Sequence, residues 1–277
     1  MPLLHPDYYS SNKQKQLEAA NFGKSVYDSI NCNTTIITIS ENSKNDIEKY
    51  IIKDKQNKVI NLSSGINKNK FFKIKHIANK YYKKYNFLNK KYILSVSNIR
   101  PYKNMIFLVN SFINFIDKYK INDLYLVLCG EFGEDIDRLF DNINKNKFYK
   151  DKIIITGFIP DKDINIIYNK AFCFSFPSLF EGFGLPVLEA IQCNIPVISS
   201  NITSLPEIYG DAGIGFNPRN EIELIDALHS IYFNENIRKQ LIKNCNIQKK
   251  KFSIKNTARN YMNIIKKDYK KKNSILF

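Results

Sequence analysis

From Tyr92 onward, short apolar and β-branched runs alternate with stretches whose apolar residues recur at helical spacing. That alternation predicts βαβ units, in which crossover helices bury both faces of a parallel sheet. The strands expected are Tyr92–Ser97, Leu124–Cys129, Lys152–Thr156, Phe172–Phe176, Pro196–Ser199 and Ala212–Phe216. Between them, Lys103–Tyr119 carries Ile106, Phe107, Val109, Phe112, Ile113 and Ile116 as one stripe, and Glu221–Phe233 carries a second. Further helices are expected over Ile164–Lys170 and from Pro186.

Residues 1–90 differ in character. They offer two strands, Thr34–Ile39 and Lys58–Leu62, with a helix near Lys44–Ile52 between them. Two strands cannot bury both faces of a sheet, so this part must pack on the larger domain, residues 91–252, or on further material. Phe71–Tyr85 reads as a helix joining the parts. Residues 253–277 read as an amphipathic helix, Ser253–Tyr269, that packs back toward the first part and ends in a disordered, lysine-rich tail.

Composition narrows the function classes. At 44% hydrophobic and 25% charged over 277 residues, the chain has the balance of an ordinary globular protein. Its net charge of +16 would normally raise nucleic acid or an anionic membrane as a partner. The excess is nearly all Lys, accompanied by 35 Asn, and the five Arg form no recognition motif, so nucleic acid is not expected. Peripheral contact with acidic lipid through Lys266–Lys272 competes with a plain solvated tail. Cys32, Cys129, Cys173, Cys193 and Cys245 lie far apart without a C-x-x-C pair and read as small core residues in a reducing, cytoplasmic setting. Met1–Ser10 lacks the apolar stretch of a signal peptide, and no run approaches a membrane span.

The stretch that carries chemistry is Phe176–Ala190, FPSLFEGFGLPVLEA. A strand ends at Phe176, Gly182 and Gly184 let a ligand approach the backbone, and Pro186 marks the first turn of a helix. The unpaired N–H groups of that turn suit an anion such as a phosphate. Glu181 stands before the helix and Glu189 in what reads as its first turn. Ionised carboxylates only accept hydrogen bonds, so the pair suits sugar hydroxyls, one on a ribose and one on a hexose. The alternative is that Glu189 merely complements the helix dipole and Glu181 is solvated. Arg100 and Lys103, in SVSNIRPYKN, lie between a strand and a helix, where open α/β sheets bind ligands, and could neutralise a diphosphate. Asp135 and Asp137, like Asp161 and Asp163, form Asp-x-Asp strings that read as helix-start carboxylates rather than metal ligands.

These stretches, with NIPVISSNITSLPEIYGDAGIGFNP, ITGFIPDKDINIIYNKA and TIITISENSKNDI, occur in an order that resembles glycosyltransferase family 4. These are retaining nucleotide-sugar transferases of the GT-B fold, with two Rossmann-like domains. Glu181 and Glu189 match its Glu-x7-Glu motif. The resemblance implies that residues 91–252 are the donor-binding half and 1–90 a remnant of the acceptor-side domain, as if truncated upstream. It further implies that Lys103 and Arg100 bind the diphosphate, that the backbone of Phe183, Gly184 and Leu185 faces phosphate and sugar, that Glu181 contacts the hexose and Glu189 the ribose, and that Gly157 and Phe158 lie near the base. Lys103 and Glu181 would be the catalytic pair. The expected reaction moves a hexose, mannose among the candidates, onto a glycan or lipid-linked acceptor, with no metal or other cofactor. Two departures stand out. Ser97 and Asn98 replace the family's glycine and arginine, and His5, His76 and His229 match no family histidine. The rival reading is a non-catalytic nucleotide-sugar-binding fragment that needs a separately encoded acceptor domain. A dinucleotide-dependent dehydrogenase is disfavoured, because no G-x-G-x-x-G follows the first strand.

Overall fold

A computed structural model describes residues 12–30, 34–52 and 57–273; Met1–Ser10, His5 and Cys32, read above, lie outside the described residues. The first part contains α1 (Lys13–Asp28), β1 (Thr35–Thr38), α2 (Glu41–Asp46, continued by a wider turn over Ile47–Ile51), β2 (Lys58–Asn61) and α3 (Asn79–Lys84). The second contains β3 (Lys91–Val96), α4 (Met105–Lys118), β4 (Leu124–Cys129), α5 (Ile136–Lys145), β5 (Ile153–Gly157), α6 (Asp161–Lys170) and β6 (Cys173–Phe176). It continues through α7 (Leu185–Gln192), β7 (Val197–Ser200), α8 (Leu205–Tyr209), β8 (Gly213–Phe216), α9 (Glu221–Phe233), α10 (Glu235–Gln248) and α11 (Ile254–Asn273).

β3 to β8 form one parallel sheet in the order β5-β4-β3-β6-β7-β8, so the α/β, Rossmann-like expectation holds for this part. Its strands read as continuous apolar runs because successive residues serve two different cores. On one face Tyr92, Leu94, Val127, Phe174 and Phe176 pack with Ile167 and Tyr168 of α6 and Val187 and Leu188 of α7. On the other, Ile93, Leu126, Leu128 and Ile198 pack with Leu108, Phe112 and Phe115 of α4 and Leu224 and Leu228 of α9. Cys129, Cys173, Cys193 and Cys245 are free thiols buried in these cores, and burial pushes the thiols of Cys129, Cys173 and Cys245 up to about 12. They act as small apolar residues.

β1 and β2 form a separate two-stranded parallel sheet, registered from Thr35 opposite Lys58 to Thr38 opposite Asn61. Glu207 of α8 ties it to the larger sheet by accepting hydrogen bonds from the Glu41 and Asn42 amides at 2.9 and 3.1 Å. Those donors open α2 and have no partner within it, so a carboxylate there is favoured by both hydrogen bonding and the helix dipole. α11 returns to the first part as expected: the Thr257 hydroxyl donates to the Ser63 carbonyl at 2.8 Å, and Ile66 bridges Ser253. Gly65 passes so close that a Cβ there would sit 2.1 Å from the Ile254 nitrogen.

Several expectations need correction. Phe71–Tyr85 is not one helix; only Asn79–Lys84 is helical, and the chain before it runs as an extended strap across α6. Side chains replace the missing helical hydrogen bonds. Asn165 accepts from the Phe72 amide at 3.3 Å, Asn169 accepts from the Ile74 amide at 2.8 Å, and the Asn169 amide donates to the Phe72 carbonyl at 2.9 Å. α11 is helical to Asn273, past the expected end at Tyr269. α1, α8 and α10 are additional. Among the described residues no helix is long and apolar enough to cross a membrane.

Asn169 is nearly buried and holds the strap from both sides. Asn169→Ala leaves an amide and a carbonyl unpaired, so stability should fall by about 1 to 3 kcal/mol in urea unfolding. Hydrogen exchange at the Ile74 amide should accelerate more than at β3.

Candidate functional site

The strand order turns back at β3: the chain proceeds from there to β4 and β5 on one side, then returns to place β6, β7 and β8 on the other. Such a reversal leaves a crevice at the carboxyl ends of the two strands beside it, because their loops diverge in opposite directions. The loop after β3 carries Arg100 and Lys103, and the loop after β6 carries Glu181. Each was marked by sequence on its own, and topology makes them neighbours.

The two loops are joined by their backbones. The Tyr102 carbonyl accepts from the Leu179 amide at 2.7 Å and the Ser178 hydroxyl at 3.2 Å. Asn104, in the left-handed region at φ 61°, aims its amide at the carbonyls of Pro177 and Pro218, 3.3 and 2.9 Å away. Across this seam Lys103 Nζ meets Glu181 Oε1 at 2.5 Å, with side chains only 9% and 12% exposed. Lys103 also lies 5.1 Å from the Phe176 ring centre, a face that attracts a cation. Glu181 is therefore not the solvated carboxylate of the alternative reading. Desolvated charges are tolerable only when paired, so either side chain alone would be costly.

Gly184 precedes α7 at φ 106°, and a Cβ there would lie 2.7 Å from Leu205 Cδ2. Backbone and packing both demand glycine. Ser204 fixes the same turn by donating to the Glu181 and Phe183 carbonyls at 3.0 and 2.9 Å. The Phe183 side chain points into the core, edge-on to Phe252, which leaves only its backbone for the crevice. Leu185 is half exposed at the helix start.

Glu189 is the fifth residue of α7, not in its first turn, which corrects its expected place and removes the dipole explanation. It accepts a hydrogen bond at 2.8 Å from the buried Tyr168 hydroxyl. Burial pushes its carboxyl up to about 7, against the lowering effect of that bond and of Lys70. Glu189 lines a cleft of about 290 Å³ together with Phe158, Asp161, Glu131, Lys70 and Pro186; Ser97, Asn98 and Gly130 complete its floor. Gly157, at φ 66°, ends β5 and accepts from the Gly130 amide at 3.0 Å, so the loops after β4 and β5 are locked together beneath the exposed Phe158. Glu181 and Lys103 do not line this cleft, so the two glutamates sit at different places along the carboxyl end of the sheet. Arg100 faces a further groove toward α1, with Phe132, Glu134 and Lys15.

Tyr168, Lys70 and Phe71 went unremarked in the sequence. Their signal is faint: an α6 stripe with Asn165 and Asn169 four residues apart on its inward face, where apolar residues would be usual. Asp161 bonds Lys70 at 2.8 Å and Asp163 bonds Lys84 and the Tyr85 hydroxyl, while Asp135 pairs with Arg138 at 2.8 Å. Among the described residues no cluster of three or more His, Cys, Asp or Glu is arranged to hold a metal.

The raised Glu189 pKa opposes folding when ionised. The penalty is absent below pH 4.5, grows as pH rises to about 7 and is complete above it. Glu189→Gln should therefore gain stability relative to the parent across that window, on the order of 3 kcal/mol at pH 8 and none at pH 4, by denaturant titration.

The chain is similar to known proteins over most of its length. The chain is 28% identical over 222 residues to O-antigen chain mannosyltransferase B of Escherichia coli, covering 80% of this chain and 56% of that protein. It is 32% identical over 232 residues to the serotype-specific mannosyltransferase WbdA of Escherichia coli, covering 80% of this chain and 27% of that protein. The chain thus spans about half of the first relative's length and a quarter of the second's. Among solved structures, a glycosyltransferase from Rickettsia africae superposes with a TM-score of 0.77 at 22% identity, over 90% of this chain and 68% of that one. Anabaena HepE in complex with UDP and glucose gives 0.74 at 15% identity, over 84% and 63%. These likenesses bear out the GT-B fold. The family model for glycosyl transferases group 1 matches residues 78–247, and the chain belongs to that family.

Proposed function

We propose that the chain transfers a hexose, mannose being the favoured sugar, from a nucleotide-sugar donor to a glycan or lipid-linked acceptor with retention of configuration. The observation that carries this reading is a division along the carboxyl end of one sheet. The buried Lys103–Glu181 pair lies beside the start of α7, and the cleft lined by Glu189 and Phe158 lies apart from it. A nucleotide sugar has a matching division, with a nucleoside at one end and a hexose at the other. The printed activities of the O-antigen relatives support mannose and a glycan acceptor. Assignment to family 4 rests on the sequence resemblance.

In this mechanism Glu189, once ionised, accepts the ribose hydroxyls, and the backbone at Gly157 and the Phe158 ring flank the base. Lys103, with the N–H groups of Gly184 and Leu185, faces the diphosphate, while Arg100 faces the groove toward α1. As the bond between the sugar's anomeric carbon and the phosphate oxygen breaks, its electron pair passes to that oxygen. A fixed ammonium and a helix start stabilise the developing charge without reorganisation. Glu181 holds Lys103 in place before the donor arrives and accepts hydroxyls of the hexose. The acceptor hydroxyl then attacks from the face the phosphate leaves and gives its proton to the departing phosphate oxygen, which keeps the configuration. No step calls on a metal.

A second reading, a donor-binding unit that needs a separate acceptor domain, is favoured by one feature. Among the described residues β1 and β2 make a parallel sheet of two strands, a form that normally belongs to a larger sheet. Peripheral association with acidic lipid is compatible with either reading.

Calorimetry with UDP, GDP and their sugars separates the assignments. Lys103→Ala and Glu189→Ala should each weaken nucleoside diphosphate binding about tenfold, the scale of one charge-assisted hydrogen bond. Affinity indifferent to both refutes the site. Labelled GDP-mannose transfer to mannan fragments by the chain alone argues for the first reading, and transfer only with an added acceptor domain for the second.

A further inference from the structure

The cleft around Glu189 extends to Pro186 at the start of α7, so the phosphate next to the ribose would lie at its rim, where the charge balance is unfavourable. Three carboxylates, Glu131, Asp161 and Glu189, line it against one cationic side chain among the described residues, that of Lys70. Lys103 lies outside it, engaged with Glu181. Lys70 comes from the strap, far from the sheet loops in sequence, yet its position is built. Phe71 beside it is buried and meets the Tyr168 ring edge-on at 5.7 Å, and Tyr168 in turn holds Glu189. Asn165 and Asn169 grip the next backbone groups. Lys70 is therefore delivered to the cleft by the same helix that positions Glu189.

Lys70 Nζ is 2.8 Å from Asp161 Oδ2, with side chains 40% and 79% exposed. An ion pair so open to water contributes little, so its loss is easily offset. A phosphate carries more charge than a carboxylate and accepts several hydrogen bonds at once. We propose that Lys70 is a nucleotide-binding residue of the donor cleft, latched to Asp161 when the cleft is empty and transferred to a phosphate of the nucleotide when it is filled. The strap thus belongs to the donor site, and Asp161 competes with the ligand for its cation. This rests on the donor-site reading above and adds a residue and a competition to it.

The two partners of the pair should have opposite effects, which a merely structural ion pair would not produce. Calorimetry compares uridine, UMP and UDP, and the guanosine series, on the full chain. Lys70→Met should weaken the diphosphate about tenfold and leave the nucleoside unchanged, as one lost charge-assisted bond predicts. Lys70→Arg should retain binding. Asp161→Asn should tighten binding of the phosphate-bearing members only, and this gain should shrink in the Lys70→Met background. Both side chains are exposed enough that thermal unfolding should confirm intact folds. If Lys103→Ala weakens UDP or GDP while Lys70→Met does not, or if Lys70→Met weakens nucleoside and diphosphate alike, the latch is wrong and the donor site stands. If the parent chain binds no member of either series, both fall.

Discussion

A buried ammonium and a buried carboxylate face each other across the seam between the loops after β3 and β6, and much of the site's order follows from that. Lys103 and Glu181 are each almost sealed from water. A charge in that setting requires its partner, so the two loops must be held at one separation. The Tyr102 carbonyl, the Asn104 amide and the Ser204 hydroxyl supply that hold. The result is a preorganised pair of charges at the one place where the parallel sheet leaves its strand ends open. A ligand that inserts between them exchanges one set of charge-assisted bonds for another instead of ordering a loose surface.

The cleft around Glu189 follows another physical rule, that buried backbone must find partners. The strap before α3 has no helix or sheet of its own, and the carboxamides of Asn165 and Asn169 satisfy it. Those residues sit on α6 beside Tyr168, whose hydroxyl orients Glu189. One helix therefore sets the strap, the tyrosine and the acid together. Burial holds Glu189 where its neutral and ionised forms are nearly balanced near pH 7, so folding depends on its proton.

The larger sheet was legible in detail because each of its strands is a short apolar run between polar turns, and α9 was placed to the residue by its apolar stripe. The loop at Gly182–Pro186 was legible because glycine and proline restrict the backbone locally. The strap was misread: Phe71–Tyr85 has the aromatic and lysine content of an amphipathic helix, and only the amides of α6, nearly a hundred residues on, make an extended path cheaper. Glu189 was placed in the first turn because Pro186 was taken to open the helix, whereas Gly184 caps it and Leu185 begins it one residue earlier, which makes Glu189 the fifth residue.

The amino-acid order alone determined the parallel sheet, the glycine-bearing turn before α7 and the chemical types available near it, since these follow from periodicity and local backbone preference. Which charges meet was decided only by tertiary structure. Lys103 pairs with Glu181 at a separation of 78 residues, and Lys70 reaches Asp161 at 91. No local pattern encodes such contacts; they arise because the strand order reverses at β3 and because α6 binds a distant strap.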